Sequence, residues 1–208
     1  MLDAVQQFDG RLFLLLNNGL QAPARDFVFL ALSELGRGWI GVLALLVLVP
    51  VGWRRWRRHL LVTVVCAVLA GLSNMAIKHE VKRERPQRVF QDEIRRGTVT
   101  VYALERVAHN GFPSGHSLTA FFFMVYLACY RRRHALWALP LAGLVALSRV
   151  YVGAHFPLDC VAGALLGSVW AWLAWRAFIW LDQHAENKGP TAPATAATAG
   201  GSGACSQP

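Results

Sequence analysis

Long apolar runs alternate with short, strongly charged breaks along this chain. Phe27 to Leu35, Trp39 to Val51, Leu60 to Ile77, Ser117 to Tyr130, Ala135 to Leu147 and Val161 to Trp175 hold a single acidic residue between them, Glu34, and no Lys or Arg. Runs of this kind read as membrane helices as they approach the roughly 20 residues a bilayer requires. The first two flank Gly36-Arg37-Gly38 and predict a hairpin of two short membrane helices, with one long tilted helix as the alternative. Residues 135–147 are too few to span, so that helix must continue through Ser148 and Arg149, which places Arg149 at the membrane edge facing protein.

Ahead of these runs, Leu2, Val5, Phe8, Leu12, Leu15 and Leu16 recur at helical spacing, interrupted by Asp9 and Arg11. They predict an amphipathic helix over 3–20 lying on the membrane, broken by Asn17, Asn18, Gly19 and Pro23. The expected fold class is all-α: a polytopic membrane bundle of about six transmembrane helices plus the N-terminal interfacial helix. One domain is expected over 1–184. Residues 185–208, built mostly of Ala, Thr, Gly, Pro and Ser, read as a disordered low-complexity tail.

Composition agrees with a membrane protein. The 208 residues are 55% hydrophobic and 16% charged, with a mean hydropathy of +0.36, too apolar for one soluble domain of this length. The net charge of +9 does not imply nucleic acid, because the basic residues gather at the ends of apolar runs, where they set orientation or meet anionic headgroups. Cys66, Cys129, Cys160 and Cys205 show no paired spacing that would read as zinc ligands or a disulfide framework. The N-terminus lacks the flank and cleavage site of a signal peptide and is expected to be retained.

Two short breaks, Arg54-Arg55-Trp56-Arg57-Arg58 and Arg131-Arg132-Arg133, contain no acid and read as cytoplasmic loops. Parity then puts the polar 78–115 stretch and the Arg149 to Asp159 link together on the opposite, extracytoplasmic side. In the longer stretch Glu80, Glu84, Asp92, Glu93 and Glu105 partly offset the basic residues. A polar connection of that length is functional more often than not.

Parity also brings four helix ends to one rim: Lys78 and Arg149 end two helices, while Ser114-Gly115-His116 and His155 to Asp159 open two others. Helix openings offer unpaired N–H groups and the positive dipole end, which together favour an anion. Lys78, Arg85 and Arg149 add three cations, and Arg grips phosphate oxygens with a two-pronged donor. Cations alone would only bind. Two histidines add chemistry, because one imidazole can attack phosphorus while the other protonates the departing oxygen. Asp159, four residues after His155, is placed to hold one imidazole nitrogen.

Lys78 followed after six residues by Arg85-Pro86, then Pro113-Ser114-Gly115-His116, then Ser148-Arg149 with His155 and Asp159, resembles the three-part signature of the type 2 phosphatidic acid phosphatase superfamily. Its members are membrane lipid phosphatases and relatives sharing a core with vanadium haloperoxidases. The resemblance implies that His155 is the nucleophile forming a phosphohistidine, that Asp159 orients it and that His116 protonates the leaving group. It further implies that Lys78, Arg85, Ser114, Gly115 and Arg149 hold the phosphoryl oxygens. It implies no metal, no other cofactor and a site near the outer surface, probed by a lipid phosphate from the bilayer. An undecaprenyl diphosphate phosphatase of the bacterial inner membrane is the first expectation. Phosphatidylglycerophosphate, phosphatidic acid and lipid A phosphate are the alternatives within the class, and a lipid or phosphate carrier is the alternative outside it.

Each residue also has a plainer reading. Ser114 could simply cap a helix, Arg149 could anchor one at the interface, and His116, His155 and Asp159 could bind zinc, which nearby cations oppose. His79 and His109 read as solvated, His59 and His134 as members of the basic loops. Lys82, Arg83 and Arg88 read as headgroup contacts, and Phe121 to Phe123 as lipid-facing or core packing.

Overall fold

The computed structural model describes residues 2–48, 53–102 and 110–187. They form nine helices: α1 (Leu2–Leu20), α2 (Pro23–Glu34), α3 (Ile40–Leu48), α4 (Trp53–Val81), α5 (Pro86–Val89), α6 (Gln91–Arg95), α7 (Gly115–Tyr130), α8 (Ala135–Tyr151) and α9 (Pro157–Asn187). No strand occurs among the described residues, and the fold is an all-α membrane bundle. Four rods are long and apolar enough to cross a bilayer: 23–48, the rod containing α4, 132–151 and 157–185. The shorter apolar α7 stands among them. Glu105, Arg106, His109, Cys205 and residues 188–208 of the low-complexity tail lie outside the described residues, as do Val49, Pro50 and Val51 of the second apolar run, whereas residues 185–187, read as the start of that tail, continue α9.

α7 is the axis of the bundle, touching α3, α4, α8 and α9. Its closest neighbour is α9, because Gly163 and Gly167 leave no side chain between the two backbones. A Cβ on Gly163 would lie 2.3 Å from the Ser114 carbonyl oxygen, and one on Gly167 would lie 2.3 Å from that of Leu118. Small residues at four-residue spacing allow such approach where lipid supplies no hydrophobic drive between helices. Phe122 is buried in the core, with Phe121 and Phe123 packed against it, so this trio is core packing.

The two apolar runs flanking Gly36-Arg37-Gly38 form one kinked rod, the alternative to the hairpin. α2 passes through a π-turn, Leu35–Trp39, into α3, with Gly38 alone leaving helical geometry at φ +125°. The register against its neighbours advances steadily. Asp26 meets Tyr151, Ser33 meets Arg149, Gly36 packs on His116, Gly41 packs on Phe123, and the Leu45 carbonyl accepts from Trp56 Nε1 at 3.2 Å. A hairpin would have reversed that order at Gly38.

One crossing instead of two moves α1 to the same rim as the polar residues 82–102 and 110–114. α1 runs past Asn17 and Asn18 to Leu20, so these residues do not break it. Asp9, Phe13 and Asn17, each four residues after the last, form its buried stripe. Asn17 Nδ2 donates to the Tyr151, Thr100 and Val150 carbonyls at 2.9, 3.1 and 3.2 Å, and Phe13 stacks on Phe90. Phe8 and Leu15 stay 61% and 70% exposed on the outer face, the apolar side an interfacial helix presents to lipid.

At the far rim His59 is not a loop residue. It is buried within α4, stacked on Phe178 at 3.7 Å, with Nδ1 2.8 Å from Tyr126 Oη. Asp182 of α9 accepts from Arg55 and Arg58 there, tying the first basic cluster to the bundle.

The α7–α9 contact predicts that Gly163→Ala and Gly167→Ala each destabilise the bundle by about 1–3 kcal/mol through overpacking. Gly143→Ala, where a Cβ meets nothing within 4 Å, should be neutral or slightly stabilising. Thermal unfolding in detergent checks this; equal melting temperatures for all three variants would contradict the close approach.

Candidate active site

Ser114, Arg85, Arg149, His155 and Asp159 come together at one rim. Ser114 caps α7 with an extended backbone, its Oγ accepting from Ser117 N at 3.4 Å and from the Ser117 hydroxyl at 3.1 Å. The capping reading of Ser114 is therefore observed. Ser114 N donates to the Asp159 carbonyl at 2.9 Å, which pins the opening of α7 to the first turn of α9. His116, half-buried in the first turn of α7, packs beside Gly36.

The 152–156 link between α8 and α9 is a tight turn closed on Arg149, whose carbonyl accepts from Ala154 N at 3.0 Å and His155 N at 3.2 Å. Gly153 makes it possible, with φ at +73° and a missing Cβ that would fall 2.8 Å from Val101. Arg149 is buried in the last turn of α8 and donates to Ser33 Oγ, facing protein as the short length of its apolar run requires. Arg85, also buried, precedes Pro86 at the start of α5. Lys78 is half-buried in the last turn of α4.

His155 is buried and sits among charges: Asp159 on one side, Arg85 and Arg149 acting on the ring from others. Burial pushes its pKa down to about 4; Asp159 opposes that shift, and the two guanidinium groups add to it. The ring is thus a neutral base at pH 7. Asp159 Oδ2 lies 3.7 Å from His155 Nδ1, too long for a hydrogen bond. Two firmer donors hold the carboxylate instead: Phe156 N on Oδ2 at 2.9 Å and Arg83 Nη1 on Oδ1 at 2.6 Å. Catalytic hydrogen bonds in unliganded sites are often long and tighten with substrate.

Arg83 departs from its reading as a headgroup contact. It spans the fully buried carboxylates of Asp159 and Asp9, each at 2.6 Å, with its guanidinium carbon 4.7 Å from the Phe156 ring centre. His79 is exposed, as its solvated reading expects; Lys82 is exposed too, and Arg88 pairs with Glu84 at the surface. Sequence reading also passed over Asn74, a buried amide one helical turn before Lys78. A Cβ on Gly115 would lie 3.6 Å from its Nδ2. Asparagine inside an apolar helix, four residues before a lysine on the same face, was the available signal.

Among the described residues no three His, Cys, Asp or Glu side chains group as metal ligands.

The fold and site define a helical membrane protein whose rim combines two joined helix openings, buried arginines and a neutral, buried histidine. The PAP2 superfamily model matches residues 59–182, and the chain belongs to that superfamily. It is 32% identical over 188 residues to the undecaprenyl-diphosphatase of Sulfolobus acidocaldarius, covering 88% of this chain and 81% of that protein. It is 27% identical to the lipid A 4'-phosphatase of Bacteroides thetaiotaomicron, over 83% of this chain and 78% of that one. Aquifex aeolicus LpxE superposes with a TM-score of 0.62 at 25% identity, covering 80% of this chain and 93% of that chain.

The buried neutral imidazole has a measurable consequence. Between about pH 6.5 and 4 the unfolded chain binds a proton at His155 that the folded chain refuses, so this group removes stability as pH falls through that window. His155→Asn should therefore lose less thermal stability between pH 7 and 5 than the parent protein. Equal losses in the two proteins would show that His155 is not held neutral.

Proposed function

We propose that this membrane lipid phosphatase hydrolyses a lipid diphosphate or phosphate, undecaprenyl diphosphate first among them, through a covalent phosphohistidine on His155. His155 attacks phosphorus as the bond to the lipid-side oxygen breaks, and His116 gives that oxygen its proton. Water then attacks the phosphohistidine, releasing phosphate and restoring the imidazole. Asp159 orients the His155 ring and balances the positive charge it acquires. Lys78, Arg85 and Arg149, with the Ser114-Gly115 opening of α7, hold the phosphoryl oxygens, and stabilising their charge in the transition state is the largest part of the work. Three fixed cations supply the neutralisation that a divalent metal provides elsewhere, so the reaction runs without one.

The observation carrying this reading is the Ser114 N to Asp159 carbonyl bond, which joins the two helix openings beside a neutral, buried His155. The choice of undecaprenyl diphosphate rests on the Sulfolobus relative. Lipid A phosphate is the second reading, favoured by the Bacteroides relative of similar coverage. Headgroup chemistry at a helix rim suits either, since the tail stays among the exposed apolar faces. The acid-free basic clusters at 54–58 and 131–133 support an inner-membrane protein with these clusters in the cytoplasm and the site on the extracytoplasmic side.

Phosphate release from a panel of undecaprenyl diphosphate, phosphatidylglycerophosphate, phosphatidic acid and lipid A, with chelator present, tests substrate and metal independence together. Release from none, or strict dependence on added divalent metal, contradicts the proposal. His155→Ala should abolish turnover in a folded, inserted protein, with a loss on the order of 10³-fold or more. Label from phosphorus should be trapped on His155; label on His116 would reverse the two roles.

A further inference from the structure

Arg83 and Asp9 have no part in the reaction outlined above, yet they are built tightly into its frame. Arg83 Nη1 donates to Asp159 Oδ1 and Nη2 to Asp9 Oδ2, both at 2.6 Å, and both carboxylates are fully buried. The Arg83 carbonyl accepts from Gly111 N at 2.8 Å, so the backbone that carries the guanidinium is anchored too. Asp9 Oδ1 accepts from Leu158 N at 3.0 Å, satisfying an open donor in the first turn of α9. Burial raises the Asp9 carboxyl, while Arg83 and the Leu158 amide pull it down.

One cation shared by two buried anions is a costly arrangement if its only purpose is to hold a helix in place. We infer that Arg83 and Asp9 are positioning residues: through Asp159 they set the orientation and charge felt by His155, which makes α1 part of the catalytic unit. This rests on His155 being the nucleophile. The charged and titratable groups around the pair come from each neighbouring segment: Asp9 from α1, Arg83 and Arg85 from the link after α4, Arg149 from α8, and Cys160 beside Asp159 in α9. Neither Asp9 nor Arg83 is placed among the phosphoryl-holding groups, so both act on turnover and not on substrate affinity.

Electrostatics gives the two residues opposite signatures. Arg83→Gln removes a cation, so His155 keeps a proton more readily. The acid limb of kcat then moves to higher pH by about half a unit or more. Asp9→Asn removes a carboxylate that competes for Arg83 and favours the protonated imidazole, so the acid limb moves to lower pH. A purely structural role predicts loss of folded protein or of rate, with no such opposition.

The test measures kcat and KM across pH for Arg83→Gln, Arg83→Lys and Asp9→Asn in detergent, with the panel lipid that the parent protein hydrolyses fastest. The expected result is limbs shifted in opposite directions, KM within about twofold, and kcat of Arg83→Gln reduced on the order of tenfold or more. Arg83→Lys, which keeps the charge but not the fork, should restore the limb and recover part of kcat. If Arg83→Gln does not fold, Asp9→Asn and Arg83→Lys decide alone: an Asp9→Asn limb that coincides with the parent's overturns the inference. Limbs moving together, or effects confined to KM, overturn it as well. Turnover persisting in His155→Ala would instead sink the nucleophile assignment, whereas unshifted limbs with His155 still labelled would sink only the role of Arg83 and Asp9.

Discussion

The structure depends on two helices opening side by side with their backbones in contact. Gly163 and Gly167 let α9 lie against the carbonyls of Ser114 and Leu118, and Ser114 N completes the join at the Asp159 carbonyl. No side chain at either glycine could be accommodated without parting the helices. Because the contact is made through main chain, it positions the Ser114-Gly115-His116 turn and the His155–Asp159 turn with little rotamer freedom left. A site that must hold reacting groups to fractions of an ångström gains from being mounted on rigid elements in this way.

Charge at this rim is arranged in two layers. Around the histidine, Arg85 and Arg149 add to the burial that keeps it neutral. Behind it, Arg83 lies between two carboxylates and leaves Asp159 oriented by Phe156 N as well. Opposite charges therefore alternate from Asp9 to Arg83 to Asp159, and the neutral imidazole stands beyond them. Such alternation lets several ionised groups remain buried in a small volume, since each has an opposite neighbour in place of water.

Membership of the PAP2 superfamily agrees with the resemblance read from the three motifs, and the bundle agrees with the apolar runs. The differences are specific. The stretch 23–48 is one rod because Gly38 absorbs a local kink without reversing the chain, an outcome that hydrophobic length alone leaves open. His59 lies inside α4 because the helix starts at Trp53, well before the apolar run begins, and Phe178 and Tyr126 cover the ring. Asn17 does not end α1, because its side chain bonds the carbonyls of residues far along the chain.

What the sequence determined unaided was everything carried by local period and by fixed spacing. Apolar runs specify membrane helices because an unpaired backbone group in hydrocarbon costs several kcal/mol. The Lys78, Ser114 and Arg149 segments carry, by residue type and spacing, the resemblance to the superfamily whose model the chain matches. Only the tertiary structure decided the side on which α1 lies, and with it the partnership of Asp9, Arg83 and Asp159. That depends on whether 23–48 crosses once or twice, a question of packing against α7 and α8. An ion pair linking positions 9 and 83 leaves no periodic trace in the chain; it exists only where folding has buried the carboxylate and most of the guanidinium.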